Sequence, residues 1–499
     1  MEHQNSILDK NLWSWFFVTE EKLHQQKKYN WFAFTLVALF FVGFKFLFHE
    51  LWKDEWQAWF IATELDLGEL FSFLYYDGHP SLWYLYLKFS GAILSPLKAA
   101  LGNAGIIQMA HSLLLIAALY VFFIKLRFNL AVKLLSVFGF FLFFEYGILN
   151  RGYIWVILGL WLFAWFSSAI KKHYWKIAVL LLLLCQTEVY GMFMAFACLV
   201  YLLFDNELKW KEKHFYVPAL FLLFGVGLFL ITMVPPAEGT SVTYHYLNQV
   251  NGLKFLNAFQ AIFANTILIG LLTDVATENY KVIGLILSAL LLILSLWSFN
   301  SKKGLATYLA WLVPFYLFTA MIYTGGLRQW GMFICFLLFL FYILYVNKKL
   351  IKIPTAAFIG LILLFQLVYG IRIGFKEITT PFTNAKEAGS FIQKNIPYST
   401  PIIAFHKPDA VPVMGYADRK FYALPSGKKF TVFKWREQMF IPLNKDLNKF
   451  LKDKRKDRLA ILTNKPISSK QIQNIGLVKK FETFNIRQEV YYIYGYPAK

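Results

Sequence analysis

The stretch WFAFTLVALFFVGFKFLF, residues 31–48, runs directly into His49-Glu-Leu-Trp-Lys-Asp54-Glu55, and its reading decides the class of the chain. About 18 apolar residues in a helix rising 1.5 Å per residue cover a hydrocarbon core of about 30 Å. Comparable runs recur as far as about residue 370. The chain is 58% hydrophobic and 19% aromatic, well above the roughly 45–50% apolar content of soluble domains. An integral membrane protein is the expectation. The first 30 residues are polar and include a basic stretch at 22–28, so 31–48 reads as a first spanning helix and not as the core of a signal peptide.

Working outward, the sequence predicts about eleven spans, at 31–48, 104–124, 134–147, 153–170, 177–190, 191–204, 217–234, 281–299, 305–323, 331–347 and 353–371. The connections at 125–133, 171–176, 209–213, 302–303 and 348–352 are rich in Lys and Arg and alternate with connections that are not. Basic short loops stay in the cytoplasm. The expected fold is therefore a polytopic α-helical membrane protein in the cell (inner) membrane. Residues 1–30 form a cytoplasmic segment, 31–372 the transmembrane domain with an extracytoplasmic loop at 49–103, and 373–499 an extracytoplasmic α/β soluble domain. That last boundary rests on returning charge and on short strand-like stretches at 401–405 and 490–494. The apolar segment 81–97 is expected to be a re-entrant or interfacial helix opened by Pro80, because counting it as a span inverts every later loop.

The same loop-by-loop placement accounts for the formal charge of +21, and nucleic acid is not an expected partner. Cys185, Cys198 and Cys335 all lie in apolar runs without metal-ligand spacing. Packing is their expected role. No Gly-rich phosphate loop, Gly-x-Ser-x-Gly elbow or His-Glu-x-x-His occurs, which leaves ATPase, serine hydrolase and zincin chemistry without support.

The topology collects Asp54, Glu55, His79, Glu145, Arg151, Glu188, His245 and Arg328 near membrane boundaries on one face. Ionisable residues at such places are functional candidates. Asp54 can take a proton from an attacking hydroxyl or cap a helix over 55–62. His79, before Pro80, can contact a phosphate or merely bond to backbone. Glu145 and Arg151, in Phe144-Glu-Tyr-Gly-Ile-Leu-Asn-Arg151-Gly-Tyr153, can meet a substrate or pair with each other. Glu188 lies in the break Gln186-Thr-Glu-Val-Tyr-Gly191, as a ligand or as part of a polar turn. Tyr244-His245-Tyr246 suits a sugar or the membrane interface. Arg328, in Gly325-Gly-Leu-Arg-Gln-Trp-Gly331, can bind phosphate bidentately or snorkel to the interface.

Taken in order, the acidic pair after the first span, the His-Pro step before an apolar helix and the Glu-x5-Arg-x-Tyr turn resemble the C-type (GT-C) membrane glycosyltransferases. The bacterial branch related to protein O-mannosyltransferases and lipid A aminoarabinose transferase is the nearest likeness. The segments 187–191 and 326–331 are similar as well. The resemblance implies transfer of a sugar, with inversion, from a polyprenyl-phosphate donor to a lipid, glycan or protein acceptor. It implies Asp54 as catalytic base with Glu55 beside it, and His79, Arg151 and Arg328 near the donor phosphate. Glu145, Tyr153, Glu188 and His245 complete the expected substrate-binding set. Ser81 departs from the family, in which a second proline often follows. No cofactor is implied, although Asp54 and Glu55 are the candidate pair for a divalent metal. A transporter or flippase of lipid-linked sugars is the rival reading, and a glycan-binding scaffold a third.

Overall fold

The computed structural model describes residues 16–205, 209–233, 250–267, 278–346, 353–434, 441–454 and 458–497. Seven described helices are long and apolar enough to cross a membrane: Lys27–Phe48, Ser95–Lys125, Tyr153–Cys185, Lys213–Met233, Lys302–Met321, Leu327–Val346 and Ala356–Thr379. Leu130–Val137 and Phe141–Ile148, bent by 57° from each other, make an eighth when counted as one span.

Of the eleven expected spans, this measure of length and composition recognises seven or eight among the described residues. Val189–Leu203 is apolar but short, 15 residues that rise roughly 22 Å where about 30 Å is needed, whereas Glu278–Trp297 has 20 residues, a rise of about 30 Å. The expected spans 153–170 and 177–190 fall in the single run Tyr153–Cys185. That run is interrupted at Ala169 (φ −148°, ψ 65°), and Gly159 lies directly against Leu180 and Leu184 beyond the interruption. A Cβ at position 159 would come within 2.5 Å of Leu184, so this glycine permits the two halves to pack side by side.

The chain divides into two compact units. The first comprises Met1–Gly43, Gly78–Leu82 and His111–Gly374. Its helix Met332–Val346 is buried on every side from Met332 to Leu344, as expected of an all-apolar helix at the centre of a bundle. Trp311 stacks on Phe336 with ring centroids 4.5 Å apart. Lys213–Met233, in contrast, presents Leu220, Leu223, Phe224 and Ile231, the last 80% exposed, a contiguous apolar surface that suits hydrocarbon.

The second unit comprises Phe44–Asp77, Trp83–Ala110 and Phe375–Lys499. Its sheet has six strands: β1 (Ile402–Ala404), β2 (Phe421–Ala423), β3 (Lys428–Phe430), β4 (Leu459–Thr463), β5 (Gly476–Phe481) and β6 (Tyr491–Tyr496). They are ordered β3-β2-β1-β4-β6-β5. β1 runs parallel to both β2 and β4, and the other pairings are antiparallel. Ile403, Phe405, Leu447, Phe450 and Ile461 form the core on one side of it.

Helices from the first loop are part of this unit. Lys53–Glu64 packs on Lys407–Ala417, where Gly415 makes room for the Trp56 ring: a Cβ at 415 would come within 2.2 Å of Trp56 Cδ2. Gln57 ties the same helix to the segment after β3, donating to the Phe433 carbonyl at 2.8 Å and accepting from the Phe433 N–H at 3.3 Å. Arg487 lies over the Trp52 ring at 3.7 Å, a cation–π contact. The segment expected at 81–97 forms a helix over Leu82–Ile93, 12 residues long, about 18 Å and too short to span. Pro80 stands ahead of this helix instead of opening its first turn.

Candidate functional site

The first unit gathers most of the sequence candidates into one cluster. The break in Gln186-Thr187-Glu188 between Ile170–Cys185 and Val189–Leu203 holds the His-Pro segment, since the Leu82 N–H donates to the Gln186 carbonyl at 3.0 Å. That contact brings His79 within 3.8 Å of Glu188, and an Arg151 Nη2–H donates to His79 Nε2 at 3.2 Å. The short helix Leu327–Trp330 carries Arg328 to within 3.7 Å of Glu145. Glu145 and Arg151 thus each meet a partner from elsewhere in the fold.

Tyr153, two residues beyond Arg151 in the chain, joins the two groups through Gln329, the neighbour of Arg328. Its oxygen accepts from Gln329 Nε2 at 2.8 Å. The turn bearing Arg328 is held further by Tyr146, whose hydroxyl donates to the Arg328 carbonyl at 2.5 Å, and by Gln329 Oε1, which accepts from the Gly326 N–H at 2.9 Å. Gly325, at φ 72°, supplies the left-handed residue with which this turn begins. His79, Glu145, Arg151, Tyr153, Glu188 and Arg328 are therefore brought together, each largely or partly buried.

The chemistry open to this cluster follows from its distances. The Arg328–Glu145 and His79–Glu188 contacts, at 3.7 Å and 3.8 Å, exceed the roughly 2.7–3.2 Å of a hydrogen bond. At these distances the Arg328 guanidinium and the His79 ring face their carboxylates without a close hydrogen bond to them. A phosphate oxygen replacing a carboxylate there gains charge-assisted bonds, worth about 1.5–3 kcal/mol each.

Asp54 and Glu55 belong to the second unit. Asp54 is the second residue of helix Lys53–Glu64 and is half-buried. The expectation that Asp54 caps a helix over 55–62 is corrected: the helix starts at Lys53, and Glu55 accepts from the Trp52 N–H at 2.9 Å to close its first turn. A carboxylate at the third helical position reaching back to the cap residue is half of a capping box.

Glu55 has a second partner that the sequence did not disclose. His49 Nε2 lies 3.1 Å and 3.2 Å from the two Glu55 oxygens, and His49 Nδ1 lies 2.7 Å from Glu377 Oε1. All three side chains are fully buried. Two carboxylates facing both ring nitrogens call for two N–H donors, which only the imidazolium has. Burial alone would lower the His49 pKa, but Glu55 and Glu377 outweigh it and hold the group up at about 9. Gln108 ties the backbone below by donating to the Lys45 and His49 carbonyls at 3.1 Å and 3.0 Å. Glu50, next in sequence, lies 3.5 Å from Lys386; burial pushes its carboxyl pKa up, and Lys386 pulls against that shift. The His49 network ties the start of helix Lys53–Glu64, through Glu55, to Glu377 within the second unit.

His245 lies outside the described residues. Among the described residues no group of three or more His, Cys, Asp or Glu side chains is arranged to hold a metal ion, and the Glu55 carboxylate is engaged by His49 and the Trp52 N–H. No protein-family model matches the chain, and no characterised protein matches it.

Proposed function

We propose that this chain is an inverting membrane glycosyltransferase that moves a sugar from a polyprenyl-phosphate donor to an extracytoplasmic lipid, glycan or protein acceptor. The observation that carries the reading is the cluster of Arg151, Arg328, His79 and Tyr153 among apolar helices, with carboxylate partners held at 3.7–3.8 Å. Such a group suits an anionic head whose apolar tail stays in hydrocarbon. The resemblance of the first-loop and turn motifs to GT-C enzymes supplies the reaction class.

In this reading the donor phosphate is held by Arg151, Arg328 and His79. The acceptor oxygen attacks the anomeric carbon on the face opposite the phosphate, and the bond from that carbon to the phosphate oxygen breaks. The acceptor proton passes to Asp54, and polyprenyl phosphate leaves with the bonding electrons, its charge balanced by the cations that already hold it. Glu55 acts with His49 to orient Asp54. The chain crosses the cell membrane about eleven times, with residues 49–103 and 373–499 on the extracytoplasmic side.

Proteoliposomes containing the purified protein and a synthetic polyprenyl-phosphate sugar test the proposal. Protein-dependent formation of free polyprenyl phosphate together with a glycosylated acceptor is expected. Movement of the intact donor between leaflets without cleavage would establish the flippase reading instead.

A further inference from the structure

The second unit contains a cleft of about 710 Å³ that none of the roles above uses. Its walls come from helix Lys53–Glu64, the segment 88–103, and the amino ends of β1 and β2. A volume in the range of about 300–1,000 Å³ is typical of small-molecule sites. We propose that this cleft binds an anionic saccharide.

Charge is the first argument. Lys88, Lys98, Arg419, Lys420 and Lys429 line the cleft against only two carboxylates, Glu64 and Asp418. Three of the cations are committed to building the walls. Lys88 donates to the Ala62 and Leu65 carbonyls at 3.0 Å and 2.8 Å, closing the end of helix Lys53–Glu64. Arg419 donates to the Pro397 carbonyl at 3.1 Å and to the Thr400 carbonyl, and Lys420 pairs with Glu64. Asp418 is occupied with Asn103, whose amide donates to it at 3.4 Å. Lys98 and Lys429 are exposed on the lining, and they supply the charge that a ligand would meet.

The aromatic side chains are the second argument. Tyr398 is 80% exposed and is backed by the Arg419 guanidinium 5.1 Å from its ring centroid, while Tyr422 has Lys429 at 5.6 Å. Trp59 and Phe60 add apolar surface, and Thr63, Ser95 and Ser399 add hydroxyls. Ring faces edged by ammonium donors and by hydroxyl oxygens, of which Thr63 and Ser95 donate to the Trp59 and Ala92 carbonyls and so can accept, suit a sugar ring with its apolar face and equatorial hydroxyls, and the unbalanced positive charge selects a carboxylated or sulfated one. A simple anion site would not need the rings, and an acyl chain would not tolerate the cations.

The inference needs only the second unit and holds whether or not the chain transfers sugars. Its test uses the full chain in nanodiscs, titrated with trigalacturonate, neutral maltotriose and inorganic phosphate by isothermal calorimetry. Saturable trigalacturonate binding is expected, at least tenfold tighter than that of maltotriose and weakened at least tenfold in the variant K98E/K429E. Tyr398→Ala is expected to weaken trigalacturonate severalfold. These side chains are exposed, and unchanged thermal midpoints will show that the variants fold. Equal affinity for maltotriose, displacement by phosphate at the same concentration, unaltered binding in K98E/K429E, or no saturable binding overturns the proposal.

Discussion

Replacing His49 by alanine leaves Glu55 and Glu377, both fully buried, without the imidazolium that lies 3.1 Å from one and 2.7 Å from the other. Removing one partner of a buried ionic group typically costs about 3–5 kcal/mol, because the remaining charge has nowhere to go. The pH dependence gives an independent measure. A His49 pKa held at about 9 against an ordinary 6.5 corresponds to ~3 kcal/mol of stability. Because the folded value is the higher one, that contribution is fully present below about pH 6.5 and disappears as the pH rises through about 9. Denaturant unfolding of the purified protein in detergent, followed between pH 6 and 10, should show the wild type losing stability over this window. The His49→Ala variant should be weaker at pH 6 and nearly flat in this contribution. A triple variant, H49L/E55Q/E377Q, should recover most of the loss, since apolar and neutral replacements remove the stranded charges together. A His49→Ala penalty below about 1 kcal/mol, or identical pH slopes in wild type and variant, would refute the buried imidazolium.

The other expectations concern the first unit. Arg151→Ala and Arg328→Ala should each weaken donor binding by roughly 10- to 100-fold, the equivalent of one lost charge-assisted bond, read as a rise in KM for the polyprenyl-phosphate sugar; Arg328→Lys should recover only part of it, lacking the planar fork. Gly331→Ala places a Cβ 2.1 Å from Phe141 Cδ1 and should destabilise by about 1–3 kcal/mol, with Phe141→Leu restoring a part of this in the same thermal assay. Lys303→Ala removes the partner of Asp205 and the cation lying 3.6 Å over the Tyr201 ring. Both carboxylate and ammonium are largely buried, so a loss of roughly 3 kcal/mol is expected, and Asp205→Asn on that background should return most of it.

How far these features are legible in the sequence depends on the range of the interactions involved. The apolar helices are written in local composition, so Lys27–Phe48 appears where residues 31–48 suggest it. Strands at 401–405 and 490–494 are visible for the same reason and correspond to β1 and β6. The break at Ala169 is legible too, because the basic connection at 171–176 separates 153–170 from 177–190, whereas hydropathy does not decide whether a 15-residue helix such as Val189–Leu203 crosses. Glu145, Arg151, Glu188 and Arg328 stand out as charges at apolar boundaries, but their partners do not. Arg151 meets His79, 72 positions away. His49 and Glu377 are separated by 328 positions, with nothing local to join them. One signal was nonetheless available: two ionisable residues, His49 and Glu55, flank Trp52 where an apolar helix ends, and Glu377 sits at the end of another. Of the two readings open for Asp54, the cap is removed by the start of the helix at Lys53, which gives the contact with the Trp52 N–H to Glu55.

The role of Asp54 bears most directly on the proposed reaction. Asp54→Asn keeps the size of the side chain and removes its capacity to accept the acceptor proton. In proteoliposomes with saturating polyprenyl-phosphate sugar, the rate of polyprenyl phosphate release should fall by about 10²- to 10⁴-fold, with donor affinity and thermal midpoint preserved. Release at the wild-type rate from a folded Asp54→Asn protein would contradict general-base catalysis by this residue and, with it, the proposed mechanism.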